Sequence, residues 1–299
     1  MDIRVAPEDF RVDEILHTSF APGEHLYLLI RKRNHNTRWV AQLLAQAAGL
    51  EERDIGFSGM KDRRAVTTQW FSVPRSRFAI DGFSAPDIEI LEHGWHSRKL
   101  RRGSHQGNQF VIALRNLSGA RAALEQRLQL LQKHGVPNYF GPQRFGFDAG
   151  NLLHADHLLR AGRGRAGGGR RGIYLSAARA YLFNLVLSER IRRGCWREPL
   201  ALEKEPSGPL WGRGRTLAVA DVAILESEIL APWQHWCHGL EHAGLRQERR
   251  PLVVSVESMT WHWDADVLTL NFSLPPGVFA TSVLREVADV TASSGTAVL

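Results

Sequence analysis

Gly59-Met60-Lys61-Asp62-Arg63-Arg64-Ala65-Val66-Thr67-Thr68-Gln69 lies between two apolar segments, Ile55-Gly56-Phe57 before it and a run that continues to Val73 after it. The β-branched and aromatic content of Val66 to Val73 predicts a strand, and Gly56 and Gly59 loosen the approach to it. The stretch therefore reads as a hairpin whose tip holds Lys61, Asp62, Arg63 and Arg64 toward a ligand. One carboxylate among three cations is a candidate nucleophile in a phosphate-attracting setting. A solvated hairpin whose charges pair with one another has the same local pattern.

Reading outward, Glu24 to Arg31 predicts another strand. Asn36 or Thr37 then offers an N-cap to a helix with Trp39, Val40, Leu43, Leu44 and Ala47 on one face, ended by Gly49. Gln109 to Leu114 predicts a strand, and Ser118 is placed to cap a helix carrying Leu124, Leu128 and Leu131 that stops at Gly135. Strands and helices mix without a strict βαβ rhythm, so the expected class is α+β with a largely antiparallel sheet. Between residues 135 and 253 helix-like runs dominate, notably Ser176 to Arg193 and Pro232 to Ala243. Strand-like sequence returns at Leu252 to Val256 and Val267 to Leu274, followed by a capped helix starting near Thr281. The expected organisation is a discontinuous domain of residues 1–134 and 254–299, its two parts completing one sheet, with 135–253 inserted.

A chain of 299 residues with 43% hydrophobic content can bury a large core and does not read as disordered. Thirty-eight Lys and Arg against 31 Asp and Glu leave a formal charge of +7, which favours an anionic partner such as nucleic acid. Cys195 and Cys237 are far apart and lack metal or redox spacing, and the crowded Trp233-Gln234-His235-Trp236-Cys237-His238 has no second ligand pair, so no metal is expected. Met1 to Pro7 has no signal-peptide core and no run approaches a membrane span, which predicts a soluble cytoplasmic protein. No coiled-coil heptad appears, so a monomer is expected. Gly162-Arg163-Gly164-Arg165-Ala166-Gly167 satisfies G-x-G-x-x-G but follows a helix-like run, which argues against a dinucleotide site. Residues 162–172 read instead as a cationic loop that touches RNA phosphates or as a plain linker. Trp39, Trp70 and most other tryptophans fall in amphipathic patterns that suit core packing.

The segment Gly59 to Gln69 resembles the signature of the TruD family of tRNA pseudouridine synthases, Gly-x-Lys-Asp-(Arg/Lys)-x-Ala-Val-Thr. Four further segments resemble the same family in the same order: Pro7 to Phe10, Gly107 to Phe110, Val136 to Gly146 and Leu274 to Ser282, with a helix-like run from Ser176 to Arg190. The resemblance runs from residue 7 to residue 286. It implies a pseudouridine-synthase core with a family-specific insertion, no cofactor, tRNA as partner, and isomerisation of the D-arm uridine conventionally numbered 13. It also implies Asp62 as the catalytic carboxylate and Arg4 as its basic partner, in a place where the family commonly carries Lys. A guanidinium cannot shed its proton, so a proton-transfer role at that position is in question. Phe10, Phe110 and Phe279 are nominated as walls for the extruded base, Asn108 as a reader of the uracil edge or ribose, and Lys61, Arg63, Arg64 and Arg144 as phosphate contacts. Two other readings remain open here: a noncatalytic RNA-binding or folding module, and a synthase with additional RNA substrates.

Overall fold

The computed structural model describes residues 1–160 and 170–288. Its first elements are strand β1 (Phe10–Ile15), strand β2 (His25–Arg33), helix α1 (Thr37–Ala48), strands β3 (Gly56–Phe57), β4 (Val66–Pro74), β5 (Ile88–His96) and β6 (Gly107–Leu114), and helix α2 (Arg121–His134). There follow β7 (Val136–Pro137), α3 (Gly150–Arg160), α4 (Arg171–Arg192), β8 (Ser207–Leu210), α5 (Ala220–Leu230), α6 (Gln234–His242), β9 (Glu248–Pro251) and β10 (Val253–Val254). The chain closes with β11 (Glu257–Asp264), β12 (Val267–Leu274) and α7 (Ala280–Val287). Two compact units emerge, one built from Met1–Glu125 and Val256–Gly277, the other from Gln126–Ser255 and Val278–Val287. The division falls inside α2 rather than at residue 134, and α7 groups with the second unit.

The first unit is organised by an eight-stranded sheet in the order β11-β12-β6-β1-β4-β2-β5, with β3 paired to β4. Only β1 and β4 run parallel; every other pair in it is antiparallel. This is the mixed, largely antiparallel sheet expected from the sequence. Period-two alternation decides which side chains share a face. Leu26, Leu28 and Ile30 of β2 point with Phe71 and Val73 of β4 toward Val40, Ala41 and Leu44 of α1, forming a buried core. Helix α1 starts where the pattern predicted, with Asn36 Oδ1 accepting the Trp39 N–H, and stops at Gly49 in the left-handed region (φ 64°). At Gly56 a Cβ would fall on Ser72 Oγ and the Leu100 carbonyl, so glycine permits a close backbone approach there.

Three local expectations are corrected. Helix α2 begins at Arg121, with Ala120 accepting from Ala123 and Leu124, so Ser118 lies too early to cap it. Val253–Val254 pairs with Val136–Pro137, not with the large sheet, so of the two late strand-like segments only Val267–Leu274 joins it. Helix α4 begins at Arg171 rather than Ser176.

The second unit buries Leu175, Leu182 and Val186 of α4 against Leu159, Leu230, Trp236 and Leu240. Its long central helix also carries Arg190, fully buried, whose Nη1 donates to both carboxylate oxygens of Glu203. The carboxylate of Asp156 accepts from His235 and Trp236, the neighbours of Cys237 in the crowded polar run. Among the described residues no group of His, Cys, Asp and Glu could hold a metal ion. The dinucleotide-like Gly162 to Gly167 lies outside the described residues. No described helix is long and apolar enough to cross a membrane.

Candidate active site

The loop between β3 and β4 carries Asp62 at its outer side, half-exposed, with Oδ2 2.9 Å from Arg4 Nη2. Arg4 has a left-handed backbone (φ 59°), a conformation that L residues seldom adopt and that surrounding structure must hold. Two ties hold it. Asp2 and Arg115 exchange backbone hydrogen bonds at 2.8 and 3.0 Å, and the buried Asp9 carboxylate takes the Arg115 guanidinium in a fork. The Arg115 guanidinium beside it holds the Asp9 carboxyl below the usual range. Thus anchored, the Arg4 guanidinium carbon lies 4.0 Å over the Phe10 ring, sandwiched between an aromatic face and the Asp62 carboxylate.

Phe10 leads into a row of rings. Register places Phe10 beside Ile112, Val12 beside Phe110, and Phe110 beside Phe272, all on the face that also bears Leu28 and Phe71. Phe10 meets Phe110 edge-on at 6.3 Å and Phe110 stacks on Phe272 at 5.4 Å. Asn108 stands opposite Glu14 and Leu274, and its Oδ1 is buried with no hydrogen-bond partner, an acceptor left open one pleat from Phe110. Arg4, Phe10, Asp62, Asn108 and Phe110 are therefore brought together by the first unit. Phe279 belongs to the second unit, where it packs beside Phe140 and Phe183. Arg144 is in that unit too, with Nη1 donating to Ser176 Oγ at 3.1 Å. Arg63 and Arg64 are exposed on the loop.

Lys61 is a correction to the outward cluster. Its ammonium turns inward to Glu14 Oε2 at 2.6 Å, both side chains nearly inaccessible, while Glu14 Oε1 accepts the Trp70 N–H. Thr37 Oγ1 accepts from the Lys61 N–H and donates to Gln69 Oε1, and Gln69 Nε2 donates to the Gly59 carbonyl. These bonds pin the incoming leg of the loop to α1 and β4. The cation directly under Asp62 is Lys32, fully buried, whose Nζ donates to the carbonyls of His35 at 2.5 Å and Asp62 at 3.1 Å. Burial pushes its pKa down to about 8, against a partial upward pull from the Asp62 carboxylate. Glu14 and Lys32 were not singled out from sequence. A signal existed: Leu26, Leu28, Ile30 and Lys32 alternate, so period two turns Lys32 inward with them.

An α+β sheet of this order, with a clamped carboxylate on a loop beside its aromatic row, is a pseudouridine-synthase fold. A crystal structure from Methanosarcina mazei carrying the name tRNA pseudouridine synthase D (TruD) shares it, with a TM-score of 0.71 at 20% identity over 97% of this chain and 93% of that one. The family model for tRNA pseudouridine synthase D (TruD) matches residues 1–160 and 201–287. The tRNA pseudouridine synthase D of Cellvibrio japonicus is 47% identical over 304 residues, covering 97% of this chain and 89% of that protein. Its namesake from Nitrosococcus oceani is 41% identical over 323 residues, covering 95% and 89%. The chain belongs to the tRNA pseudouridine synthase D (TruD) family, a family of isomerases.

Proposed function

We propose that this chain converts uridine to pseudouridine in tRNA, at the D-arm position conventionally numbered 13, with Asp62 as nucleophile and no cofactor. The supporting observation is the Arg4–Asp62 pair at 2.9 Å over the Phe10 ring. The reaction breaks the C1'–N1 bond, turns the uracil and forms C1'–C5; the C5 proton is lost and N1 gains one, so product and substrate are isomers. Asp62 forms a transient bond with the nucleoside, at C1' or C6, that keeps the two fragments together. Arg4 orients the carboxylate. Permanently protonated, it cannot accept the C5 proton, which must leave by another route. Extruding the base costs a few kcal/mol, recovered by stacking on Phe10 and Phe110, with Asn108 reading an edge. Arg63, Arg64 and Arg144 contact phosphates. On this reading residues 1–134 and 254–299 are the catalytic domain and 135–253 the family's insertion.

The test replaces Asp62 with Asn in a chain of otherwise native sequence. Pseudouridine in the D arm, mapped in RNA from cells lacking the gene and complemented with either form, should return only with Asp62. The purified variant should keep its fold and its tRNA affinity. Full pseudouridine formation by Asp62→Asn would end the proposal.

A further inference from the structure

Among the hollows formed by described residues, three on the first unit differ in the kind of charge that lines them. One is lined by Glu8, Asp13, Asp87 and Glu89 among its cations, a second by Asp13, Glu14 and Glu92. The third, about 530 Å³, is lined by His17, His96, Arg98, Lys99, Arg101 and Ser104, with Leu16, Thr18, Tyr27 and Leu100 completing it, and includes no carboxylate. Net positive charge over a concave surface focuses a field that draws anions.

The side chains there are arranged to donate. Arg98 and Arg101 are exposed, and neither guanidinium has an ion pair among the described residues. Some arginines of this unit are held by carboxylates, Arg31 by Glu89, Arg33 by Glu8, Arg38 by Glu52 and Arg115 by Asp9, while Arg11, Arg63, Arg75, Arg77 and Arg102, like Arg98 and Arg101, are in no ion pair among the described residues. His96 stacks on Tyr27 at 4.6 Å, and its Nδ1 lies 3.0 Å from the Arg98 backbone nitrogen and 3.1 Å from the Arg98 carbonyl oxygen, so the ring is held against the Arg98 backbone. The Tyr27 hydroxyl donates to the Arg98 carbonyl at 3.0 Å, so the backbone under the guanidinium is fixed from two sides. Leu100, buried on Tyr27 and Trp70, donates its N–H to Ser72 Oγ at 2.9 Å. The same segment is tied to the loop that carries Asp62: the Gly103 N–H donates to the Ser58 carbonyl at 2.8 Å, and the His105 ring lies beside Gly59.

We propose that this hollow is a second seat for the RNA strand, in which Arg98 and Arg101 take successive phosphodiesters while the Ser104 hydroxyl donates to the backbone between them. The inference rests on the reading of the chain as a tRNA-modifying enzyme and adds a contact site outside the nucleoside pocket. The seat is fastened to the Asp62 loop, and strand binding there adds affinity without touching the reacting atoms.

The experiment uses the full chain with an unmodified tRNA transcript and compares the parent with an Arg98→Gln, Arg101→Gln double variant. Binding is measured by fluorescence anisotropy from ~50 to ~300 mM salt. Each lost phosphate contact lowers the slope of log K against log[salt] by about 0.7 to 0.9, so the double variant should lose about 1.5 and bind on the order of tenfold more weakly near ~150 mM salt. Its single-turnover rate at saturating tRNA should equal the parent's. The Arg98→Lys, Arg101→Lys variant, which keeps both charges, should keep the parent slope. An unchanged slope in the glutamine variant, or a fall in saturated turnover with affinity intact, overturns the proposal. Displacement of labelled phosphate from the hollow with no effect on RNA binding overturns it as well. A parent that binds tRNA with the expected slope change but forms no pseudouridine would instead refute the catalytic reading and leave the seat supported.

Discussion

Replacing Lys32 with Met should change how the stability of this protein responds to alkali more than it changes stability near neutrality. The Lys32 ammonium is fully buried and its pKa is pushed from an ordinary 10.5 to about 8. Between those values the unfolded chain binds a proton that the folded chain has released, so the free energy of unfolding rises with pH across the window. A difference of about 2.5 units, at about 1.4 kcal/mol each, makes the rise ~3 kcal/mol for the parent chain. The variant has no such proton and should lack this rise. At pH 7 two effects oppose each other in the variant. It is relieved of the same ~3 kcal/mol, but the carbonyls of His35 and Asp62 lose their shared donor, at roughly 1 to 3 kcal/mol each. A single measurement at pH 7 therefore tells little, and the informative quantity is the difference between parent and variant as a function of pH. Tyr27 and Tyr139, whose pKa values burial raises, titrate in both proteins and cancel in that difference. Urea unfolding followed by tryptophan fluorescence at pH 7, 8, 9 and 10 supplies it. Parent and variant curves that run parallel within about 0.5 kcal/mol would refute the buried, charged Lys32 and the argument built on it.

Other perturbations test neighbouring parts of the site. Arg4→Met should cut the single-turnover rate by tenfold or more with tRNA affinity nearly unchanged, whereas Arg4→Lys should retain much of the rate; this ordering compares the charge with the stacking on Phe10. Phe110→Ala should lower turnover more than tRNA binding, but it also opens a cavity between Phe10 and Phe272 and should cost about 3 to 5 kcal/mol, so turnover must be compared below the variant's melting range; tRNA binding lost ahead of turnover would count against stacking. Asp9→Asn should free the Arg4 segment and flatten the acid limb of stability: the Asp9 contribution is fully present above the usual carboxylate range and disappears as pH falls through its lowered folded value, which calorimetry between pH 5 and 3 would read. Gly56→Ala should destabilise by more than 1 kcal/mol, because the added methyl meets Ser72 and the Leu100 backbone; an unchanged denaturation midpoint would contradict the close approach.

What the sequence disclosed and what it hid divide along one line. Features encoded by local chemistry were legible: the Asn36 cap and the Gly49 stop of α1, the strand after Ala65, and the loop that presents Asp62. Partnerships across the sheet were not. Adjacency in the chain suggested Lys61, Arg63 and Arg64 as the cations around Asp62. Yet Lys61 answers Glu14 of β1, and the Arg4 that meets the Asp62 carboxylate was named only through the family resemblance. The strand at Leu252 to Val256 was assigned to the large sheet because its composition suits any sheet; only the pairing of Val253 with Pro137 reveals its place. Phe10 and Phe110 were named through the family resemblance, whereas the sheet register that sets them beside one another follows from β1 pairing with β6. A lone Phe on a strand carries no mark of the ring it will touch.

The same geometry explains why Arg can stand where the family commonly carries Lys. A lysine at position 4 would deliver a point charge to Asp62, and nothing in its shape would hold it over a ring. The guanidinium lies flat on Phe10 at 4.0 Å while one nitrogen reaches Oδ2, so a single side chain fixes the carboxylate and covers an apolar wall. Its Nε is buried without a partner, which shows that the placement is dictated by the stack and the carboxylate, not by a full set of hydrogen bonds. Because this cation cannot lose its proton, the charge beside Asp62 stays constant across the alkaline range in which Lys32 titrates. Any alkaline change in turnover above pH 8 that the Lys32→Met variant lacks therefore belongs to Lys32, and the two cations can be told apart by pH alone.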